Sequence, residues 1–176
     1  MEADQARTLE GLRVAIQLEI DGKEFYLKAS RESGNEMGRR LFASLAAEED
    51  LHRHTFEEIY RSLTAAKGWP ETRLSFDGGA GLRAIFAQVT AGVGSGVTAQ
   101  ATELDAVKTS MDMENKTYDY YQAQSQTAAY AGEKEFYQAL MAQEREHYLV
   151  LLDYYEYLKD PAGWFVQREH PSLDGG

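Results

Sequence analysis

Apolar positions recur at steps of three and four residues through four long stretches of this chain, the spacing of helices that bury one face. The first stretch, from about Gln5 to Arg31, puts Leu12, Ala15, Glu19, Gly22, Tyr26 and Ala29 on one stripe. The second opens at Asn35, a helix-capping residue placed just after the helix-ending Gly34. It carries Phe42, Leu45, Glu49, His52, Phe56, Ile59 and Leu63, stepping 3, 4, 3, 4, 3, 4 as a bundle seam does. A third stretch begins near Thr102, where Thr102 and Asp105 have capping-box-like spacing. It aligns Val107, Ser110, Glu114, Thr117, Tyr121 and Gln124. The fourth starts after Gly132, aligns Tyr137, Leu140, Glu144, His147, Leu151, Tyr154 and Leu158, and stops at Asp160-Pro161, where proline cannot continue a helix.

Connection lengths turn these stretches into a topology. Short joints between the first and second helices, and between the third and fourth, make each pair antiparallel. The middle connection, about residues 68–101, is glycine-rich and long enough to run the length of a bundle, with GLRAIFAQV as a short helix inside it. The expected fold is all-α: a four-helix bundle over residues 1–160 made of two similar hairpins and one long crossover. A short C-terminal tail over residues 161–176 follows it.

The stripes are not purely apolar, and their polar members repeat. Glu19, Glu49 and His52 return as Glu114, Glu144 and His147: 49 − 19 and 144 − 114 are both 30, and 52 − 49 and 147 − 144 are both 3. The same shift of 95 residues carries Tyr26 onto Tyr121, Leu45 onto Leu140 and Ala47 onto Ala142. On a helix, positions three apart share a face, so each Glu-x-x-His pair can serve one site. An unpaired buried carboxylate costs several kcal/mol, and no Lys or Arg sits on these stripe positions. Two divalent cations would set +4 against the −4 of four glutamates. Four carboxylates and two imidazoles on facing helices are the ligand set for two metal ions in a bundle core, and such ligands accept iron, manganese or zinc alike.

Composition narrows the partners. The net charge of −11 opposes binding to nucleic acid or an anionic membrane. The chain has no cysteine, which excludes disulfides, thiolate catalysis and cysteine-held zinc or iron–sulfur centres. No run approaches a membrane span, and the acidic, polar MEADQARTLE start is unlike a signal peptide. The expected location is cytoplasmic.

The segments LEIDGKEFY, LAAEEDLH, MENKTYDYY and LMAQEREH resemble the four helices of the rubrerythrin and ferritin-like di-iron carboxylate family, over residues from about 9 to 160. The tail with GWF and LDGG also resembles tails of some rubrerythrin-like sequences. The resemblance implies two iron ions, with Glu19 and Glu114 as terminal or bridging ligands and Glu49–His52 and Glu144–His147 as the two Glu-x-x-His pairs. It further implies that Tyr26 and Tyr121, seven residues beyond Glu19 and Glu114, flank the metals and hydrogen-bond ligand carboxylates. Two departures from the family stand out. Rubrerythrins commonly carry a glutamate one turn after the third-helix ligand, where this chain has Thr117. Its repeat-mate is Gly22, and the two small residues are expected to wall a pocket for oxygen, peroxide or entering iron. Rubrerythrins also commonly carry a cysteine-ligated rubredoxin domain that delivers electrons, and this chain has no cysteine.

The activity implied is reduction of hydrogen peroxide or dioxygen at a di-iron site, in a setting of oxidative-stress defence, with electrons from an external donor protein. The alternatives are a ferroxidase or iron-storage subunit oxidising ferrous iron, and a dinuclear metal-binding bundle without catalysis. A homodimer or higher homo-oligomer is expected. Neither His54, which faces away from the stripe, nor His170 in the tail is assigned a role. Glu48, Asp50 and Glu146 adjoin ligands in sequence but are expected to point into solvent. Trp69 and Trp164 are read as structural, and the glycines from Gly92 to Gly96 lack the spacing of a phosphate loop.

Overall fold

A computed structural model describes residues 2–71, 78–93 and 100–169 of the chain. The central parts of the crossover, the end of the tail and His170 lie outside the described residues. Among the described residues six helices run in the order α1 (Glu2–Glu32), α2 (Glu36–Thr64), α3 (Ala80–Val93), α4 (Ala101–Thr127), α5 (Ala131–Lys159) and α6 (Pro161–Glu169). There is no strand among the described residues. The fold is an all-α bundle in which α1 packs closely on α2, and α4 on α5. The two hairpins approach each other less closely, so what joins them is chiefly side chains meeting across the interior.

Asn35 caps α2 as its sequence position predicts, accepting a hydrogen bond from the Gly38 amide at 2.9 Å. The start of α4 differs from expectation. Gln100, not Thr102, is its N-cap, and it makes no side-chain capping bond. The reason lies in the buried Glu103, whose Oε1 accepts hydrogen bonds from Ser33, from Asn35 Nδ2 at 2.8 Å and from the Tyr154 hydroxyl at 2.8 Å. That knot ties three helix ends together and sets where α4 begins. α5 likewise starts two residues earlier than expected, at Ala131, and Gly132 sits inside its first turn with the Trp69 ring against it. Glu133 accepts from the Ala129 amide at 2.8 Å and from Thr8 at 3.2 Å, closing the opposite end of the bundle.

Gly38 shows how tightly the knot is built. A Cβ there would collide with Ser33 Oγ, the Tyr154 hydroxyl and Glu103 Oε1. Gly38→Ala is therefore expected to cost about 1–3 kcal/mol, in the range of overpacking, and to lower the thermal midpoint by about 5 °C. An unchanged midpoint by calorimetry would show that the knot gives way freely.

Two apolar clusters fill the interior. One holds Leu12, Ala15, Phe56, Ile59, Tyr121, Tyr137 and Leu140, and the other Tyr26, Phe42, Leu45, Val107, Leu151 and Tyr154. α3 adds Leu82, Phe86 and Val89 to the second cluster. Pro161 does end α5, but it also opens α6, because proline suits the first turn of a helix. The first part of the tail is thus a helix. Its Trp164 packs edge-on against Phe86 of α3, with ring centroids 5.1 Å apart, and against Tyr157.

Candidate metal centre

All six polar stripe residues converge between the two apolar clusters, and all are buried: Glu19, Glu49, His52, Glu114, Glu144 and His147. α1 and α4 each contribute one glutamate, and α2 and α5 each contribute a Glu-x-x-His pair. They form two overlapping groups, Glu19–Glu49–His52–Glu144 and Glu49–Glu114–Glu144–His147. His52 Nδ1 lies 3.3 Å from Glu19 Oε2, 3.9 Å from Glu49 Oε2 and 3.7 Å from Glu144 Oε1. His147 Nδ1 lies 3.5 Å from Glu49 Oε1, 3.5 Å from Glu114 Oε2 and 3.9 Å from Glu144 Oε2. Glu49 and Glu144 therefore turn one oxygen to each group, whereas Glu19 and Glu114 serve one group each. The two imidazole rings are nearly parallel, with centroids 6.0 Å apart.

Neither group satisfies itself. Glu19 Oε2, His52 Nδ1, Glu144 Oε1 and His147 Nδ1 are buried with no hydrogen-bond partner. Four such atoms aimed at two common points would be costly in a finished apolar core. Ligand bonds of about 2.0–2.2 Å place neighbouring donor atoms roughly 3.0–3.5 Å apart, close to the spacings seen. The residues present thus fit two metal ions, each with three carboxylates and one imidazole within reach.

The electrostatics tell the same story. Burial pushes Glu19 up to about 7, against lowering by hydrogen bonds with Glu49 and Tyr121. Burial, and then the neighbouring glutamates, hold Glu49 and Glu144 well above the ordinary carboxylate range. Burial also lowers His52. His147 and Glu114 go against their burial: it favours a neutral imidazole and a neutral carboxyl. Their mutual attraction and hydrogen bonds outweigh it, leaving His147 raised and Glu114 lowered.

Tyr26 and Tyr121 are where the resemblance put them, and each crosses between hairpins. Tyr26 of α1 donates to Glu114 of α4, and Tyr121 of α4 donates to Glu19 of α1. Burial, and then nearby carboxylates, push both phenols well above their usual range, so both remain donors. Gly22 does lie against the site: a Cβ there would sit 3.6 Å from the Glu49 carboxylate carbon, leaving a space about the size of a methyl group. Thr117 is half-buried and spends its hydroxyl on the Met113 carbonyl at 3.0 Å.

One expectation is overturned. Glu48 does not point into solvent; its Oε2 lies 2.9 Å from His147 Nε2 across the bundle. Gln143, to which the sequence reading assigned nothing, does the same for His52, with Oε1 2.7 Å from Nε2. The signal was present, because 48 + 95 = 143, but one repeat-mate is Glu and the other Gln. Asp50 and Glu146 do turn away from the site, yet neither stands alone: Asp50 pairs with Lys23 at 2.8 Å and Glu146 pairs with Arg83. His54 is exposed and faces away.

A four-helix bundle with two Glu-x-x-His pairs and two further glutamates buried at its centre is a ferritin-like bundle whose carboxylate and imidazole cluster fits two metal ions. The family model for Rubrerythrin matches residues 10–155, and the chain belongs to that family. No curated protein and no solved structure matches the chain. Among the described residues, no helix is long and apolar enough to cross a membrane.

Proposed function

We propose that this chain is a di-iron oxidoreductase that reduces hydrogen peroxide or dioxygen with electrons from a separate donor protein. The observation that carries the reading is the set of four unpartnered ligand atoms, one on each of Glu19, His52, Glu144 and His147, buried around two shared points in the bundle core. Glu19, Glu49, Glu144 and His52 would hold one iron, and Glu49, Glu114, Glu144 and His147 the other. Two iron ions so held would supply reversible one-electron chemistry, one electron from each, matching the two electrons a peroxide needs to become water.

The chain's own groups do the rest. Glu49 and Glu144 each turn one oxygen toward His52 and the other toward His147, so both carboxylates would serve both ions. Tyr26 and Tyr121 clamp the unshared carboxylates from the opposite hairpin, fixing their orientation as outer partners of ligands do. Phe56, Tyr137, Phe42 and Leu45 surround the polar cluster with apolar surface, which excludes bulk water and strengthens every charge interaction inside. The methyl-sized space beside Gly22 adjoins the shared Glu49. These 176 residues hold no cysteine to ligate an electron-delivering iron centre, which supports the external donor of this reading.

The test is anaerobic reconstitution with ferrous iron, metal counting, and comparison of oxidation rates under peroxide and under dioxygen. Two irons per chain, oxidised stoichiometrically and re-reduced by an added donor, are expected. Continued uptake of ferrous iron far beyond two per chain, within a large cage, would replace this reading with iron storage. Two bound metals with no optical change under either oxidant would leave a structural site.

A further inference from the structure

The two metal positions have the same ligands in kind, three glutamates and one histidine each, with two of the glutamates common to both. Any inequality between them must come from outside that set. The two tyrosine clamps are equivalent, Tyr26 on Glu114 and Tyr121 on Glu19. The histidine supports are not. His147 Nε2 faces the Glu48 carboxylate at 2.9 Å, and His52 Nε2 faces the Gln143 amide oxygen at 2.7 Å. In each ring Nδ1 looks into the site, so with an ion bound there Nε2 would carry the hydrogen and donate it. The same bond is made twice, by residues 95 apart, once to a charged acceptor and once to a neutral one.

That difference has a direction. A carboxylate acceptor makes a stronger hydrogen bond than an amide and leaves the imidazole a better electron donor at its other nitrogen. It also brings a fifth negative charge toward one position only. Glu48 is 38% exposed, so water screens part of this effect, while Gln143 is buried.

We propose that Glu48 and Gln143 are positioning residues that make the two metal positions unequal, with the His147 position binding its ion more tightly than the His52 position. The inference rests on the dinuclear reading above. It implies ordered loading: the first ion settles among Glu49, Glu114, Glu144 and His147, and the second completes the His52 side.

The experiment is calorimetric titration of metal-free protein with manganese, alongside Glu48→Gln and Gln143→Glu. Both changes keep size and shape, and circular dichroism checks the fold. Wild type is expected to bind two ions in two separable steps. Glu48→Gln should weaken the first step by about 10-fold, the lower end of what such outer partners contribute, drawing the steps together. Gln143→Glu should tighten the second by a similar factor. With zinc, the first equivalent should shift the ring resonances of His147 before those of His52. Two ions bound with identical steps in all three proteins would overturn the inequality while leaving the dinuclear site standing. A folded wild type that binds no ion would instead overturn the dinuclear reading itself.

Discussion

Glu49→Ala or Glu144→Ala is expected to take the chain from two bound metals to nearly none, while Glu19→Ala or Glu114→Ala leaves one. The difference follows from which oxygens face which histidine. Glu49 and Glu144 each present one oxygen to His52 Nδ1 and the other to His147 Nδ1, so losing either strips both positions at once. Glu19 is near His52 alone and Glu114 near His147 alone. The loss of affinity at a stripped position should exceed the roughly 10–100-fold that outer partners alone account for. Each variant also removes a buried acidic group from a crowded cluster, so the metal-free variants should fold at least as well as wild type. Metal counting by mass spectrometry on anaerobically loaded protein checks this. Two metals retained in Glu49→Ala and Glu144→Ala would show that the shared carboxylates do not bridge.

Without metal, the protein should lose stability as pH rises, the reverse of a typical acid-sensitive fold. Glu19 is raised to about 7 by burial, and Glu49 and Glu144 go higher still. A carboxyl that holds its proton more tightly folded than unfolded contributes stability that is whole below about 4.5. That contribution drains away as pH climbs through its folded value. His147, raised by Glu114 and its hydrogen bonds against the pull of burial, loses its contribution above about 6.5 in the same direction. The lowered groups act elsewhere: Glu114 matters only below about 4.5, and His52 opposes the trend only below about 6.5. From pH 6.5 to 8.5 the trend is therefore downward. One such group across two pH units amounts to about 3 kcal/mol, or a fall of about 10 °C in the midpoint of a chain this size. Ferrous or manganous ions should cancel the slope, since ligands bind metal only when deprotonated. They should raise the midpoint most at the alkaline end, by about 2.7 kcal/mol per site at a hundredfold excess over the dissociation constant. A metal-free midpoint that holds steady or rises from pH 6.5 to 8.5 would mean the carboxylates are not crowded together in solution.

Much of this was legible in the residues alone because helical periodicity is a local property. Steps of three and four placed Glu19, Glu49, His52, Glu114, Glu144 and His147 on the faces that carry Leu12, Phe56 and Leu140. All of these are buried. Asn35 as a cap and Pro161 as a stop are likewise short-range effects of one side chain on its own backbone. The errors came where the deciding partner is far along the chain. The start of α4 depends on Glu103 reaching Ser33, Asn35 and Tyr154. Glu48 was misread because facing away from its own helix's stripe does not mean facing water when α5 lies beside it.

The sequence by itself determined that four long helices exist, that they pair into two like hairpins, and that six candidate metal-ligating side chains lie on the inner stripes. Repeat arithmetic and helical spacing need nothing more than the order of residues. Only the tertiary structure decided which glutamates are shared, which tyrosine holds which carboxylate, and that Glu48 and Gln143 reach opposite histidines. Those choices depend on the rotation and offset of one hairpin against the other, and they are set by packing summed over the whole interior rather than by any neighbouring stretch of chain.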